Sequence, residues 1–366
     1  MLAALGLTAP PNLVRVVGTN GKGTVSHLIA TGLQAAGGRT GLFLSPHVVK
    51  FEERVSVNGA PVSPAAVTSF VARVRSLLES RPPAERERPA FFEITLALAL
   101  SEFANADAAW AVLEAGVGGA TDATAAVTGD VRLVVLTNVD LDHVNTIGPT
   151  LGDVAAEKAR AFAPGVPAVT AATGTGLEMA RAVARELGSE LTEVAPLEPG
   201  EPRRAVNERL AAAALRLLDV PQYAVEHALR SPPLPGRGER FEIGGKHVLL
   251  DGAHDPAAGR YLAARLPADY VLVFGALGRK QGEATLRVLE KGAAHVIVTE
   301  AAEGEGAVHL AGERRELFRD PASAVRRALD LAPPGGLVVV AGSLYLAGRV
   351  RPLLDSLAHE TPSLIP

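Results

Sequence analysis

Residues 14–24 read Val-Arg-Val-Val-Gly-Thr-Asn-Gly-Lys-Gly-Thr, an apolar run that ends in a glycine-rich turn. The glycines allow the backbone to approach phosphate oxygens and to direct N–H groups at them. Lys22 supplies a positive charge, and Thr24 can reach a magnesium ion at the start of the following helix. An ordinary glycine turn is the alternative, but the positions of the lysine and the threonine favour a loop that binds ATP or a close relative.

The spacing of this loop differs from the common Walker form. Only two residues separate Gly18 from Gly21, and an additional glycine separates Lys22 from Thr24. This difference points away from motor proteins, GTPases and small-molecule kinases.

The composition limits the kinds of partner. At 366 residues the chain is long enough for two domains. Its net charge is −4 and no cluster of Lys and Arg stands out, so we expect neither a nucleic acid nor an anionic membrane as partner. The sequence contains no cysteine, which excludes disulfides, thiolate metal sites and a cysteine nucleophile. We therefore expect small-molecule partners, and any metal must be bound by oxygen or imidazole.

The hydropathy pattern predicts a cytoplasmic protein that does not span a membrane. Apolar residues are scattered, and no uninterrupted apolar stretch is long enough to cross a bilayer. No basic residue precedes the apolar residues 1–7, which argues against a signal peptide. The sequence does not specify the oligomeric state, and a monomer is the working expectation.

Short β-rich runs alternate with helical stretches, a rhythm typical of a mostly parallel sheet. In the first part of the chain, strands are predicted at 13–17, 40–44, 110–114, 132–137 and 166–170. Helices are predicted at 24–36, 64–79, 92–104, 151–162, 175–187 and 205–218.

A proline-rich segment at 231–236 cannot continue a helix or enter a central strand, and we interpret it as a hinge. A second α/β series follows it, with strands predicted at 247–250, 270–274, 294–298 and 336–341. We therefore predict an α/β protein. A P-loop-containing, mostly parallel sheet domain that binds ATP occupies 1–230, and a smaller Rossmann-like α/β domain occupies 237–366.

Ligands of parallel sheets collect at the carboxyl ends of the strands, and three predicted ends carry unusual residues. These are 45–47 (Ser-Pro-His), 114–116 (Glu-Ala-Gly) and 138–143 (Asn-Val-Asp-Leu-Asp-His). Glu114 is expected to face the phosphate loop of the same sheet, which favours a magnesium ligand over a solvated carboxylate. His143 alone is typical of a structural histidine, but beside Glu114 it becomes a candidate second ligand.

Two further groups have open interpretations. Lys158 lies on a predicted helix, where position alone does not distinguish a solvated lysine from a functional one. Asp251 and His254 follow a predicted strand of the second domain. They either bind a ribose or a charged substrate group, or they belong to an Asx-type helix start.

Several short motifs follow one another along the chain. They are Gly18–Thr24 (GTNGKGT), Ser45-Pro46-His47, Phe92-Glu93, Glu114–Thr124 (EAGVGGATDAT), Leu141-Asp142-His143, Glu157-Lys158-Ala159, Pro235-Gly236-Arg237 and Asp251–Pro256 (DGAHDP). This set and its order resemble the folylpolyglutamate synthase/dihydrofolate synthase family of the Mur ligase superfamily, over nearly the whole chain. The extra glycine of GTNGKGT is specific to the folate branch, whereas cell-wall Mur ligases resemble GxxGK[ST][ST].

The resemblance implies an ATP-dependent amide ligase. In such an enzyme a carboxylate attacks the γ-phosphate of ATP, and the acyl phosphate then reacts with the amino group of L-glutamate with loss of phosphate. The implied cofactors are ATP and Mg²⁺ at two sites, and the implied partners are a folate or pteroate substrate and L-glutamate. The second domain would be the glutamate ligase domain, and its closure would exclude water.

The resemblance also implies roles for individual residues. The implied nucleotide contacts are Asn20, Gly21, Lys22, Gly23, Thr24, Asn207, Arg237 and Asp251. The implied Mg²⁺ ligands are Thr24, Ser45, Glu114, His143 and, as a carbamate formed with CO₂, Lys158. The implied substrate contacts are Phe92, Glu93 and Asp122, and the implied catalytic residues are Lys22, Lys158 and His254.

The chain departs from the family pattern mainly around the acceptor pocket. Where Arg, Leu, Asn, Asn and Gly-Ile are expected, it has Ala120, Thr121, Ala125, Asp255 and Ala159-Arg160. It also begins a few residues before the first strand, where the family has a segment that helps to cover the pterin. Two alternatives stay open: a ligase of the same class with a non-folate carboxylate acceptor, and a non-catalytic nucleotide-binding protein. The metal and lysine positions argue against the second.

Overall fold

The computed structural model describes residues 2–82, 88–141, 146–198, 200–277, 282–302 and 307–360. The chain divides into two compact units, Met1–Ser45 with Glu52–Pro232, and Pro46–Phe51 with Pro233–Pro366. The boundary at Pro233 falls inside the hinge predicted at 231–236. No pattern in the sequence indicates that Pro46–Phe51 groups with the second unit.

The described part of the first unit contains one eight-stranded sheet and seven α-helices. Its strands are β1 (Asn12–Val17), β2 (Thr40–Phe43), β3 (Val55–Val57), β4 (Ala60–Pro61), β5 (Trp110–Glu114), β6 (Asp130–Leu136), β7 (Ala168–Thr170) and β8 (Leu191–Glu193). Its helices are α1 (Lys22–Ala35), α2 (Pro64–Glu79), α3 (Phe91–Asn105), α4 (Leu151–Ala159), α5 (Gly174–Leu187), α6 (Arg203–Leu217) and α7 (Gln222–Leu229). The strand order is β4-β3-β2-β5-β1-β6-β7-β8.

The strand order brings the sequence motifs to one edge of the sheet. β1 pairs in parallel with β5 on one side and with β6 on the other, and β2 pairs in parallel with β5. The carboxyl ends of these four strands therefore lie side by side. Among the described strands of this sheet, β3 alone runs in the opposite direction, because it pairs antiparallel with both β2 and the edge strand β4.

The apolar residues of the first unit explain why its helices pack where they do. The central strands are buried on both faces, as expected for a parallel sheet covered by helices on both sides. α1 packs directly against α6 because Gly32 has no side chain. A Cβ at Gly32 would lie 2.5 Å from Cδ1 of Leu215. This contact fixes α6 beside the helix that follows the phosphate loop.

The described part of the second unit contains a six-stranded sheet and four α-helices. Its strands are β9 (Arg237–Ile243), β10 (Lys246–Asp251), β11 (Tyr270–Phe274), β12 (Ala293–Val298), β13 (Arg315–Leu317) and β14 (Leu337–Ala341). Its helices are α8 (Pro256–Ala263), α9 (Gly282–Leu289), α10 (Pro321–Leu331) and α11 (Leu344–Glu360). The strand order is β13-β12-β11-β14-β10-β9, and β9 alone among the described strands pairs antiparallel within it.

The structure confirms the predicted α/β class, with a mostly parallel sheet in each unit. Every predicted strand overlaps an observed one. The strands that the sequence did not predict are β3, β4, β8, β9 and β13, which lie at or next to the sheet edges. These are short or carry charged residues, so they lack the apolar run that marks a central strand. Across the described ranges, no helix is long and apolar enough to cross a membrane.

Candidate functional site

The glycine-rich loop joins β1 to α1 and ends at Gly21, whose φ of 86° is accessible to glycine at little cost. No described side chain caps α1, so the amides of its first turn are oriented toward the loop. The backbone N–H of Asn20 donates to Oδ1 of Asn138 at the end of β6, over 2.8 Å. The loop is thus anchored to the neighbouring strand while its helix end presents N–H groups to an anion.

The ammonium of Lys22 folds back over this loop. Its Nζ donates to the carbonyl oxygens of Gly18 and Thr19, over 3.0 and 3.2 Å. These contacts place the charge of Lys22 at the mouth of the loop, where a phosphate would bind. The arrangement is that of a phosphate-binding loop.

Glu114 lies at the carboxyl end of β5, beside the phosphate loop. Its side chain is only 3% exposed, and its Oε2 accepts the backbone N–H of Ser45 over 2.8 Å. A Cβ at Gly23 would lie 3.4 Å from the same Oε2. The glutamate therefore lies against the first turn of α1, which also carries the half-buried Thr24. Glu114, Thr24 and Ser45 therefore lie at the same end of the sheet, and each carries a side-chain oxygen of the type that Mg²⁺ prefers.

His143, the other predicted metal ligand, lies outside the described residues. Within the described ranges, no group of three or more His, Cys, Asp and Glu side chains is placed to bind a metal ion. This search covers neither the hydroxyls of Thr24 and Ser45 nor a modified Lys158, so it does not test them as metal ligands.

Lys158 is buried, with 1% of its surface exposed. It lies on α4, and its Nζ donates to the carbonyl oxygen of Gly18 over 2.9 Å. The interpretation of Lys158 as a solvated lysine on an exposed helix face is therefore wrong. Lys22 donates to the same carbonyl oxygen, so two lysine nitrogens converge on one atom of the phosphate loop.

The loop that follows β5 is held in place by two carboxylates. Asp122 accepts N–H groups from Gly116 and Val117 through Oδ2, and from Thr124 through Oδ1. Glu157, next to Lys158 on α4, accepts the N–H and the hydroxyl of Thr121 through Oε1, over 2.8 and 2.7 Å. Asp122, a predicted substrate contact, thus has a structural role in this loop.

The pKa of Glu157 lies below its ordinary value of 4.5. Partial burial raises the pKa, but hydrogen bonds from Thr121 and Gly119 and the nearby charge of Arg160 lower it by more. Because the folded-state pKa is depressed, the ionised carboxylate stabilises the fold above pH 4.5. This contribution is lost as the pH falls through the lower folded-state value.

We expect Glu157→Gln to lower the free energy of unfolding at pH 7. The amide keeps an acceptor oxygen for Thr121 but loses the negative charge. A hydrogen bond to a charged group stabilises the fold by about 1 kcal/mol more than a neutral hydrogen bond. Urea denaturation at pH 7 and at pH 3.5 should show a smaller difference from the wild type at the acidic pH. Glu186→Gln, on the exposed side of α5, is the control, and an equal effect at both pH values would contradict the assignment.

Asn207 lies on α6 and borders a cavity of about 110 Å³ next to the phosphate loop. A Cβ at Gly21 would lie 2.4 Å from its Oδ1, so the loop and this amide are in close contact. The apolar walls of the cavity are Ala171, Leu197, Val206 and Leu210. Amide groups and aliphatic walls together suit a flat heterocycle with hydrogen-bonding edges.

Phe92 and Glu93, the other predicted substrate contacts, begin α3. The ring of Phe92 packs edge-on against Phe43, with centroids 5.3 Å apart, and lies against Gly116 at the start of the loop after β5. The Oε2 of Glu93 accepts the N–H of Ala90 over 2.8 Å and so caps the helix. Phe92 therefore borders the site, while the carboxylate of Glu93 serves the helix start.

In the second unit, Arg237 begins β9 and lies opposite Asp251 at the end of β10. Oδ1 of Asp251 accepts the N–H of Ala253 over 2.8 Å, which is an Asx turn. Nδ1 of His254 lies 2.9 Å from the carbonyl oxygen of Gly252. Asp255 caps α8 by accepting the N–H of Ala258. The interpretation of Asp251 as part of an Asx turn therefore describes the local structure. Arg237, Asp251 and His254 lie near the same end of the sheet.

Some residues that shape the site have no role among those that the sequence predicts. Asn138 anchors the phosphate loop, and Thr19 exchanges hydrogen bonds with the backbone of Asp140. Asn138 and Asp140 belong to the polar run 138–143 after β6, so the signal was present in the strand end. Glu157 belongs to the motif Glu157-Lys158-Ala159, but its position in the sequence does not indicate that it binds the loop after β5.

The chain matches two known protein domains, one in each half of the sequence. Residues 16–186 match the Mur ligase middle domain, and residues 236–344 match the Mur ligase glutamate ligase domain. The chain is similar to the probable bifunctional folylpolyglutamate synthase/dihydropteroate synthase of Halobacterium salinarum, with 34% identity over 93% of this chain and 47% of that protein. It thus spans about half the length of the first curated relatives that it matches.

Other relatives are matched over most of their length. Dihydrofolate synthase/folylpolyglutamate synthase of Mycobacterium tuberculosis is 30% identical over 93% of this chain and 85% of that protein. The structure is also similar to that of a bifunctional folylpolyglutamate synthase/dihydrofolate synthase with Mn, AMPPNP and L-glutamate bound. The TM-score is 0.84 at 28% identity, over 97% of this chain and 92% of that one. The protein is a member of the folylpolyglutamate synthase/dihydrofolate synthase family of Mur ligases.

Proposed function

We propose that the protein is an ATP-dependent ligase that adds L-glutamate to a folate-type carboxylate through an acyl phosphate and releases ADP and phosphate. The observation that carries this proposal is the convergence of Lys22, Lys158 and Glu114 on the phosphate loop. A protein that only binds a nucleotide has no need of a second buried lysine and a buried carboxylate at this place. Family membership and the nucleotide analogue, metal and L-glutamate bound in a similar bifunctional synthase support the same reaction.

The first unit would bind ATP. The amides at the start of α1 and the charge of Lys22 would bind the phosphates, and the cavity beside Asn207 would take the base. Arg237 and Asp251 of the second unit are proposed as further nucleotide contacts. In the first step an oxygen of the acceptor carboxylate bonds to the γ-phosphorus, and the bond to the ADP oxygen breaks. Lys22 would stabilise the charge that develops on the transferred group.

In the second step the amine nitrogen of L-glutamate attacks the acyl carbon, phosphate leaves and the amine loses a proton. Acyl phosphates hydrolyse readily, so the reacting atoms must be kept from water. We propose His254 as a catalytic residue from the second unit at this step, with Nδ1 oriented by the Gly252 carbonyl. Phe92, Glu93 and Asp122 are proposed to shape the acceptor pocket.

We propose that Thr24, Ser45, Glu114 and His143 bind Mg²⁺. The oxygen donors among the described members of this set fit the ion. When bound, Mg²⁺ supplies positive charge that neutralises the transferring phosphoryl group.

We further propose that Lys158 is carbamylated. Its Nζ is buried and shares the Gly18 carbonyl with Lys22, and both burial and a neighbouring cation disfavour the ammonium form. A neutral amine can form an N–C bond to CO₂ with loss of one proton. The resulting carboxylate would be a ligand for a second Mg²⁺.

The experiment that tests the function is ATP turnover with L-glutamate and a panel of acceptors. Dihydropteroate, tetrahydrofolate and a UDP-muramyl compound separate the folate ligases from a ligase with another carboxylate acceptor. Release of ADP that needs both L-glutamate and a folate-type acceptor is the expected result. The proposal includes the cytoplasmic monomer predicted from the sequence, which cell fractionation and size-exclusion chromatography would test.

We expect Glu114→Gln to weaken metal binding without unfolding the protein. Glutamine keeps an oxygen that can accept the Ser45 N–H, but it loses the charge. The Mg²⁺ concentration for half-maximal turnover should rise at least about tenfold, the loss typical even of groups that only support a ligand. Glu178→Gln, exposed on α5, is the matched control. Unchanged metal affinity and rate in Glu114→Gln would show that this carboxylate is not a ligand.

A further inference from the structure

The segment Pro46–Phe51 belongs to the second unit, although the residues on both sides of it belong to the first. It begins directly after Ser45, whose N–H donates to Glu114. The chain therefore leaves the first unit at a proposed metal ligand and returns six residues later. Within the segment, the rings of His47 and Phe51 pack edge to face with centroids 6.0 Å apart.

Val48 packs against the apolar core of the second unit. Its half-buried side chain lies against the apolar cluster under α11, and its Cγ1 would lie 3.6 Å from a Cβ at Gly236. Its backbone approaches α11 more closely still. A Cβ at Gly348 would lie 1.7 Å from the carbonyl oxygen of Val48 and 2.8 Å from its carbonyl carbon.

This approach explains why α11 carries a glycine at 348. The residue lies inside a helix and has no positive φ, so its own conformation does not require glycine. Glycine within a helix costs about 1 kcal/mol relative to alanine. The close packing of two backbones is the reason for glycine that the structure offers, since a side chain of any size would displace Val48.

α11 also fixes the start of β9. Arg351, one turn after Gly348, forms an ion pair with Glu239 over 2.8 Å. Oε2 of Glu239 accepts the N–H of Gly236 over 3.0 Å. Thus one face of α11 positions the 46–51 segment through Gly348 and the turn before Arg237 through Arg351.

We propose that Gly348 is a positioning residue for ligation: by admitting the Val48 backbone against α11, it fixes the 46–51 segment, to which the proposed metal ligand Ser45 is bonded directly. The helical region is disfavoured for a residue before proline, and proline itself has a fixed φ, so the link between the segment and Ser45 has restricted backbone freedom. The proposal rests on the proposed function, because Ser45 matters as a ligand only in a metal-dependent reaction.

The test is Gly348→Ala. The Val48 carbonyl would have to retreat by roughly 1.5 Å to reach a tight but normal contact. A displacement of about 1 Å at a reacting centre can cost 100-fold in rate. We expect kcat to fall about 100-fold and the half-maximal Mg²⁺ concentration to rise, with nucleotide affinity in the absence of metal unchanged.

A second readout does not depend on activity. Lys50 lies in the exposed part of the segment, and trypsin should cleave after it faster in Gly348→Ala than in the wild type. The control is Gly152→Ala on α4, a helical glycine whose added Cβ would lie 3.6 Å from its nearest neighbour, Oγ1 of Thr150. It should leave metal dependence and cleavage unchanged.

If Gly348→Ala does not fold, Val48→Ala replaces it, because that change loosens the packing of the Val48 side chain, which holds the same segment against the second unit. Wild-type metal dependence together with wild-type cleavage at Lys50 would overturn the proposal. If the wild type itself shows no glutamate-dependent ADP release, the proposed function fails. The comparison of Lys50 cleavage, and of Mn²⁺ affinity with a non-hydrolysable ATP analogue, still decides the role of Gly348.

Discussion

Replacing Lys22 with alanine is expected to abolish glutamate-dependent ADP release, with kcat reduced by at least about 1,000-fold. Its ammonium lies at the mouth of the phosphate loop, on the carbonyl oxygens of Gly18 and Thr19. The variant keeps the backbone cradle at the start of α1 and loses the charge that stabilises the transferred phosphoryl group. Steady-state turnover with saturating ATP, L-glutamate and acceptor measures the effect.

The control for this variant is Lys291→Ala, which removes an exposed lysine of the second unit. Thermal unfolding of both variants should remain close to that of the wild type, because the Lys22 side chain supports little of the core. Near-normal turnover in Lys22→Ala would remove ATP cleavage from the proposed reaction.

Lys158→Ala is expected to lose at least about 100-fold in kcat, and a short-chain carboxylate such as acetate should restore part of the lost activity. If Lys158 is carbamylated, the site needs a negative group at that place, because an ammonium would repel Mg²⁺. Acetate can occupy the space that the buried side chain leaves. Sodium chloride at equal ionic strength should restore nothing.

The variant also creates a cavity at a residue with 1% exposure, so stability must be measured beside activity. Loss of a long buried side chain typically costs 2 kcal/mol or more. Rescue by acetate but not by chloride separates a missing charge from a loosened fold. Full activity of Lys158→Ala without any additive would show that the buried lysine has no part in the reaction.

The sequence predicts well those elements that can be recognised from a short stretch of neighbouring residues. β1, β5 and β6 are apolar runs that end at polar residues, and such runs report central strands of a parallel sheet without knowledge of their neighbours. The phosphate loop is equally local, because strand, turn and helix follow one another within residues 14–24.

Burial and long-range contacts could not be predicted in this way. Lys158 occupies a helix position where a solvated lysine would have the same neighbours in sequence, and only the tertiary contact with Gly18 distinguishes the two. The grouping of Pro46–Phe51 with the second unit depends on the approach of Val48 to Gly348, which is distant in sequence. The hydrogen bonds of Glu157 and Asp122 likewise depend on how a loop folds, which residue types alone do not specify.

The insertion of β5 between β1 and β2 has a consequence for how the protein folds. Asn12 lies opposite Trp110 on one side and Asp130 on the other, so the central strand is completed only after roughly 100 further residues have been synthesised and their loops closed. Until then the phosphate loop has neither Glu114 nor Asn138 beside it. Assembly of the nucleotide site is therefore a late event, and the first unit should fold slowly for its helical content.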